Sequence, residues 1–230
     1  MKTGLFVIAK NLVSFNFRII KGLLKNKGGG FINSSIQNTS YLLDLQTKHD
    51  FIFIHINKTG GSAVEKALGT IDQVHLSAYV LKNHLGSINF NNKFKFAFVR
   101  NPYDRLVSQY HYRLQNDQTG VKSEALSFKD WFKSAYMNRE EPYYNFPAMF
   151  QPQLDWVTDD KGEIIVDFIG RFENLQNDFD LVCDKIGVQP KVLAKRRKSD
   201  RRDDYMSYYD DELKLWVQTC LLYTSPSPRD

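Results

Sequence analysis

The chain has 230 residues, 42% of them hydrophobic and 14% aromatic, enough to bury one sizeable core and too few for two comfortable domains. Its formal net charge of +5 favours anionic partners, but it is mild for this length and gives no argument for nucleic-acid binding. Cys183 and Cys220 are far apart and lie in no Cys-x-x-Cys or His-rich pattern, so neither a disulfide framework nor a metal site is indicated.

The first apolar stretch is broken by Lys10, Arg18, Lys21 and Lys25, and it falls short of the roughly 18 apolar residues a spanning helix needs. It reads as an amphipathic or interfacial segment at most, which leaves peripheral membrane contact open. The glycines at 28–30 and the Asn/Ser/Thr-rich stretch from Asn33 to Ser40 read as a linker. Residues 1–47 are therefore assigned to a leader and linker, and 48–220 to the folded domain. A cytoplasmic location is expected, with a membrane-associated or Golgi-lumenal one as the alternative should an anchor be missing.

Phe51 to Ile56 is a nearly continuous apolar run of β-formers, as in a strand covered on both faces. Ala63, Val64, Ala67 and Leu68 then share a helical face that Gly69 is placed to end. Phe94, Phe96 and Phe98 alternate at the period of a second strand. Pro102 suits the first turn of the helix carrying Tyr103, Leu106, Val107, Tyr110 and Leu114. Another amphipathic helix runs from Phe128 through Trp131 and Phe132 to Tyr136. Glu163 to Gly170 supplies a third strand, and Leu175, Phe179, Val182 and Ile186 a further helix that stops before Gly187. Strands alternating with helices predict an α/β fold, a central and mainly parallel sheet flanked by helices with right-handed crossovers. Residues 221–230, LLYTSPSPRD, continue none of these patterns and look like a translated adapter tail, so the native C-terminus is expected to be missing.

Lys58-Thr59-Gly60-Gly61-Ser62 lies between a buried strand and a helix, where backbone amides and the helix dipole collect an anion. Glycines allow close approach, Lys58 can neutralise charge on a leaving oxygen, and Ser62 adds a hydroxyl donor. The plainer alternative is a Ser62–Glu65 capping box over a tight turn. In the nucleotide-triphosphatase loop the lysine follows the last glycine, whereas Lys58 precedes both, which disfavours a magnesium-dependent kinase. Arg100 at the end of the second strand and Ser108 two turns into the next helix form a second anion site. Its alternative is an Arg100–Asp104 ion pair with Ser108 idle.

The blocks FIHINKTGGSAVEKAL and FKFAFVRNPYDRLVSQYHYR resemble the 5'-phosphosulfate loop and the 3'-phosphate block of the sulfotransferase family, especially its carbohydrate-modifying branch. DFIGRFENLQNDF is similar to a later family segment, so the resemblance spans roughly residues 50 to 215. It implies a P-loop-like sulfotransferase fold and 3'-phosphoadenosine 5'-phosphosulfate as co-substrate. It also implies a carbohydrate or other hydroxyl acceptor and no metal. On the same ground Lys58, Thr59, Gly60, Gly61 and Ser62 would hold the 5'-phosphosulfate, and Arg100 and Ser108 the 3'-phosphate. Ala63 departs from a family position that often carries a second hydroxyl.

Transfer of a sulfuryl group needs a base for the acceptor's proton, and histidine is the natural choice near neutral pH. His55, His75, His84 and His111 are the candidates. His75 falls between the two blocks, where the carbohydrate branch carries its catalytic histidine, and is favoured; His55 is expected to pack or orient the loop. Glu65 is an outside candidate whose capping role would explain it. Arg171 to Asn174 follows the third strand and is expected to border the acceptor cleft. The basic run from Lys195 to Arg202, with Tyr205, Tyr208 and Tyr209 behind it, is expected to grip a nucleotide phosphate or an acidic glycan. The rivals are a nucleotide-dependent phosphotransferase and a non-catalytic relative that binds anionic glycan.

Overall fold

Four consecutive apolar residues are stable in a strand only if both faces are covered, and β1 (Phe51–Ile54) is buried along its whole length. The structure, a computed structural model, describes residues 48–70, 75–194 and 204–222. β2 (Phe94–Val99) runs parallel to β1, with Phe53 opposite Phe96 and Ile54 opposite Ala97. β3 (Phe168–Arg171) lies parallel on the other side of β2, which places the three in the order β1-β2-β3. The parallel sheet carries the α/β fold that the alternating pattern predicts.

The connections are helical. α1 (Gly61–Leu68) follows β1 and ends at Gly69, whose φ of 72° is the left-handed conformation that glycine adopts freely. α2 (Ala78–Leu85) and α3 (Ser87–Asn91) lead to β2. α4 (Pro102–Gln115) follows β2, and the Asn101 side chain accepts a hydrogen bond from the Tyr103 amide at 3.0 Å to cap it. α5 (Phe128–Phe132) runs on into a π-helical turn at Lys133–Met137. α6 (Leu175–Ile186) follows β3, and α7 (Asp211–Val217) completes the seven α-helices among the described residues.

The third strand begins later than the sequence pattern predicts. Ile164 makes a single antiparallel bridge to Thr158, and the Ile165 amide bonds the Val157 carbonyl at 2.9 Å. Ile165 and Val166 pack instead against the core around Trp156 and Val157, so loop packing satisfies an apolar run that resembles a strand. Sheet pairing starts only after Asp167, whose carboxylate meets buried Lys95 at 2.8 Å.

One face of the sheet packs Ile52, Ile54 and Ala97 against Leu81, Leu85, Phe90 and Trp156. The other packs Phe51, Phe53, Phe96 and Phe98 against Val64 of α1 and Phe179, Val182 and Cys183 of α6. A third cluster joins α4, α5 and α7 through Leu106, Val107, Trp131, Phe132, Leu213 and Val217. Cys183 is thus a core residue, as its surroundings in the sequence suggest. The leader, the basic run at 195–202 and residues 223–230 lie outside the described residues, whereas Leu221 is buried against the third cluster. Among the described residues no helix is long and apolar enough to cross a membrane.

Candidate functional site

A parallel sheet delivers the carboxyl ends of its strands to one edge, so three connections meet there: the loop after β1, Arg100 and Asn101 after β2, and Phe172–Asn174 after β3. In the first, Lys58 has φ 66° and Gly60 φ 86°. Left-handed residues on either side of Thr59 are the kind of geometry that turns successive amides towards one point, where an anion can sit. Thr59 is fully buried, and its hydroxyl donates to the Ile56 carbonyl at 2.8 Å. Gly60 is needed twice over, for its φ and because a Cβ there would come within 2.7 Å of Leu175 and 3.2 Å of Phe172. The loop therefore rests on the segment that follows β3.

A left-handed lysine costs about 1 to 2 kcal/mol, and two arginines hold the backbone around it. Arg105 Nε donates to the Asn57 carbonyl at 3.1 Å, and its Nη2 bonds Asn57 Oδ1. Arg100 Nη1 donates to the next carbonyl, that of Lys58, at 3.1 Å. Arg105 also reaches the carbonyls of Gln151 and Met149, which ties the loop to the turn at Pro147–Phe150. The sequence reading missed Arg105. It stands among the apolar positions of α4, and nothing in the spacing separates a buried carbonyl clamp from a solvated helix arginine.

The Ser62–Glu65 capping box is absent. Gly60, not Ser62, precedes α1, so Ser62 and Glu65 both lie within the helix, and no side chain caps its N-terminus. Glu65 instead receives His55 Nδ1–H at 2.8 Å, with both side chains nearly fully buried. A Cβ on Gly61 would overlap the His55 ring, so the second loop glycine makes room for that pair.

The alternative ion pair of Arg100 does form. Nε and Nη2 meet Asp104 Oδ2 at 2.8 Å and 2.7 Å, and the guanidinium stacks 4.0 Å from the centre of Phe172. Unlike a surface pair, it is buried, with the two side chains 6% and 11% exposed. The Gln153 amide brackets the Arg100 backbone at 2.9 Å and 2.7 Å. Half-buried Ser108 lies one turn beyond Asp104 on α4, and Tyr112 one turn beyond that. Lys58 Nζ sits 4.1 Å over the Tyr112 ring. The structure therefore brings Lys58, Arg100 and the Ser108 face of α4 to one side of the sheet edge. Phe172 and Glu173 border this loop and its neighbour, Glu173 accepting from the Asn101 amide at 2.7 Å.

His75 lies between α1 and α2, with its Nδ1 2.8 Å from the His55 carbonyl. A carbonyl only accepts, so Nδ1 carries the hydrogen and Nε2 keeps a lone pair. The ring lies 4.4 Å from His55 and meets Trp156 edge-on at 6.2 Å. Burial, with positive charge on His55, Arg105 and Lys58, lowers its pKa from 6.5 to about 4, against the opposing hydrogen bond to the His55 carbonyl. The unfolded chain takes up a proton below pH 6.5 that the folded imidazole refuses, so this stability is full above 6.5 and is lost as the pH falls towards 4. Thermal midpoints should drop across that window, and less steeply in His75→Gln.

Burial on α2 lowers the pKa of His84 as well. His111 Nε2 lies 2.8 Å from the Tyr208 hydroxyl, and Tyr209 donates to the Tyr103 carbonyl at 2.7 Å, so these tyrosines tie α4 to the segment before α7. Among the described residues no three His, Cys, Asp or Glu side chains converge as metal ligands would.

Fold and site together define an α/β protein with a glycine-bearing loop at the carboxyl edge of a parallel sheet. Residues 42–219 match the sulfotransferase family, and the chain belongs to that family of transferase enzymes. An Archaeoglobus fulgidus protein described as uncharacterized is 33% identical over 130 residues, covering 56% of this chain and 97% of the relative. No solved structure matches the chain.

Proposed function

We propose that the protein moves a sulfuryl group from 3'-phosphoadenosine 5'-phosphosulfate to a carbohydrate hydroxyl. The observation that carries this reading is the contact between the two blocks, Arg100 Nη1 on the Lys58 carbonyl at 3.1 Å, which sets both at neighbouring strand ends. One nucleotide can then span them, its 5'-phosphosulfate on Lys58, Thr59, Gly60, Gly61 and Ser62 and its 3'-phosphate on Arg100 and Ser108. Membership of the family supports a nucleotide sulfate donor and a hydroxyl acceptor.

In the reaction the acceptor oxygen attacks sulfur while its proton passes to His75 Nε2. The bond from sulfur to the bridging oxygen breaks, and the electron pair leaves on the 5'-phosphate, where Lys58 stabilises it. His75 is neutral at pH 7 and can accept a proton, although burial and cationic neighbours make it a weak base in the free protein. An anionic donor beside Lys58 and Arg105 offsets those charges and raises its basicity towards the useful range.

The test is transfer of ³⁵S from the labelled donor to a panel of oligosaccharides with chelator present. Label on a carbohydrate hydroxyl is expected. Magnesium-dependent phosphate transfer from ATP, or the absence of any transfer, would contradict the reading.

A further inference from the structure

His55 and Glu65 are a buried ionisable pair that the reaction as written leaves unused. Side-chain exposures of 5% and 3% leave them almost no water, and burying such a pair is unfavourable unless its geometry is satisfied. Helix packing alone does not require it, since β1 and α1 already meet through Phe53 and Val64. The pair is also enclosed: the His55 ring stacks on Phe53 at 5.6 Å, fills the space that a Cβ on Gly61 would take, and faces His75 at 4.4 Å.

Two hydrogen bonds run in series through this one residue. The His55 ring is fixed by Glu65 at 2.8 Å, and the His55 carbonyl fixes His75 Nδ1 at 2.8 Å. The second bond sets the His75 tautomer, and ring contact with His55 sets the plane in which Nε2 points. A histidine with one nitrogen tied to a fixed acceptor presents the other in a defined direction, which a base acting on a substrate hydroxyl needs.

We propose that His55, locked by Glu65, is a positioning residue for His75, holding its Nδ1–H so that Nε2 faces the acceptor hydroxyl as the proton acceptor. This rests on the reading of His75 as the base. Both side chains are buried beneath the loop, 5% and 3% exposed, so on this proposal their effect falls on turnover and not on nucleotide binding. Glu65→Gln keeps the volume and removes the charge that anchors His55.

The experiment uses the full chain and measures kcat, donor KM and affinity for adenosine 3',5'-bisphosphate in wild type, Glu65→Gln and His75→Ala. Imidazole ¹⁵N shifts of His75 are recorded alongside. The expected result for Glu65→Gln is a kcat lower by about tenfold, with KM and bisphosphate affinity within about twofold. Wild-type His75 should show protonated Nδ1 and bare Nε2, a signature that becomes mixed in Glu65→Gln. Wild-type kcat in Glu65→Gln would overturn the proposal, as would an equal loss of kcat and nucleotide affinity, which marks a purely structural role. Full turnover in His75→Ala would instead overturn the base assignment on which the proposal stands. Should Glu65→Gln fail to fold, the wild-type spectrum decides, because a protonated Nε2 on His75 contradicts the arrangement outright.

Discussion

His75→Ala is expected to lower turnover by about 10²- to 10⁴-fold while leaving affinity for adenosine 3',5'-bisphosphate within about twofold. The split follows from where the residue sits. His75 is held by the His55 carbonyl and packed beside Trp156, outside the Lys58–Ser62 loop and the Arg100 block. On the proposed mechanism its loss removes the proton acceptor of the transition state without removing a phosphate contact. Steady-state kinetics beside equilibrium titration of the bisphosphate measure both quantities on one preparation. Turnover at the wild-type level would move the base elsewhere, and a parallel loss of nucleotide affinity would show that the residue supports the loop.

Arg105→Ala is expected to destabilise the fold by about 3 to 5 kcal/mol and to raise the donor KM by about 10- to 100-fold. Arg105 is 2% exposed and forms no ion pair among the described residues; its partners are the carbonyls of Asn57, Gln151 and Met149 and the Asn57 side chain. Burial presses its pKa down from the usual value, yet a guanidinium remains charged at any pH the protein meets. Truncation leaves several buried acceptors without donors, each of which costs about 1 to 3 kcal/mol when water cannot replace the lost partner. It also frees the Asn57 carbonyl next to left-handed Lys58, so the loop loses the shape on which the proposed donor site depends. Arg105→Lys keeps the charge but not the fork, and should recover little of either loss. Denaturant midpoints and donor KM check the pair of effects, and a variant with wild-type stability would refute the clamp.

Much of the fold is legible because its signals are local. Gly69 and Gly187 follow apolar stripes, and both end their helices in the left-handed conformation. The aromatic alternation of Phe94, Phe96 and Phe98 fixes β2, and the all-apolar run of β1 follows from cover on both faces. The start of β3 was not legible, because Ile165 and Val166 satisfy the same hydrophobic demand by packing in a loop. Position along the chain also showed which blocks lie at strand ends, and hence that Lys58 and Arg100 face one edge.

The interactions that shape the site left weaker traces. The acceptor for His75 is a backbone carbonyl twenty residues upstream, and carbonyls carry no sequence signature. Ser62 and Glu65 have the spacing of a capping box, but the helix begins two residues too early for it, and Glu65 turns inward to His55. Lys58 adopts a positive φ that lysine composition does not announce, and it is held there by arginines 42 and 47 residues away in sequence.

The most direct measurement is calorimetric titration of adenosine 3',5'-bisphosphate in chelator, on wild type and on the double variant Arg100→Ala with Asp104→Asn, which leaves no charged carboxylate buried alone. Metal-independent binding, weakened in the variant by about 2 to 4 kcal/mol, is the expected result. Binding that appears only with magnesium, or a variant that binds as tightly as wild type, would contradict a single nucleotide shared by the Lys58 loop and Arg100.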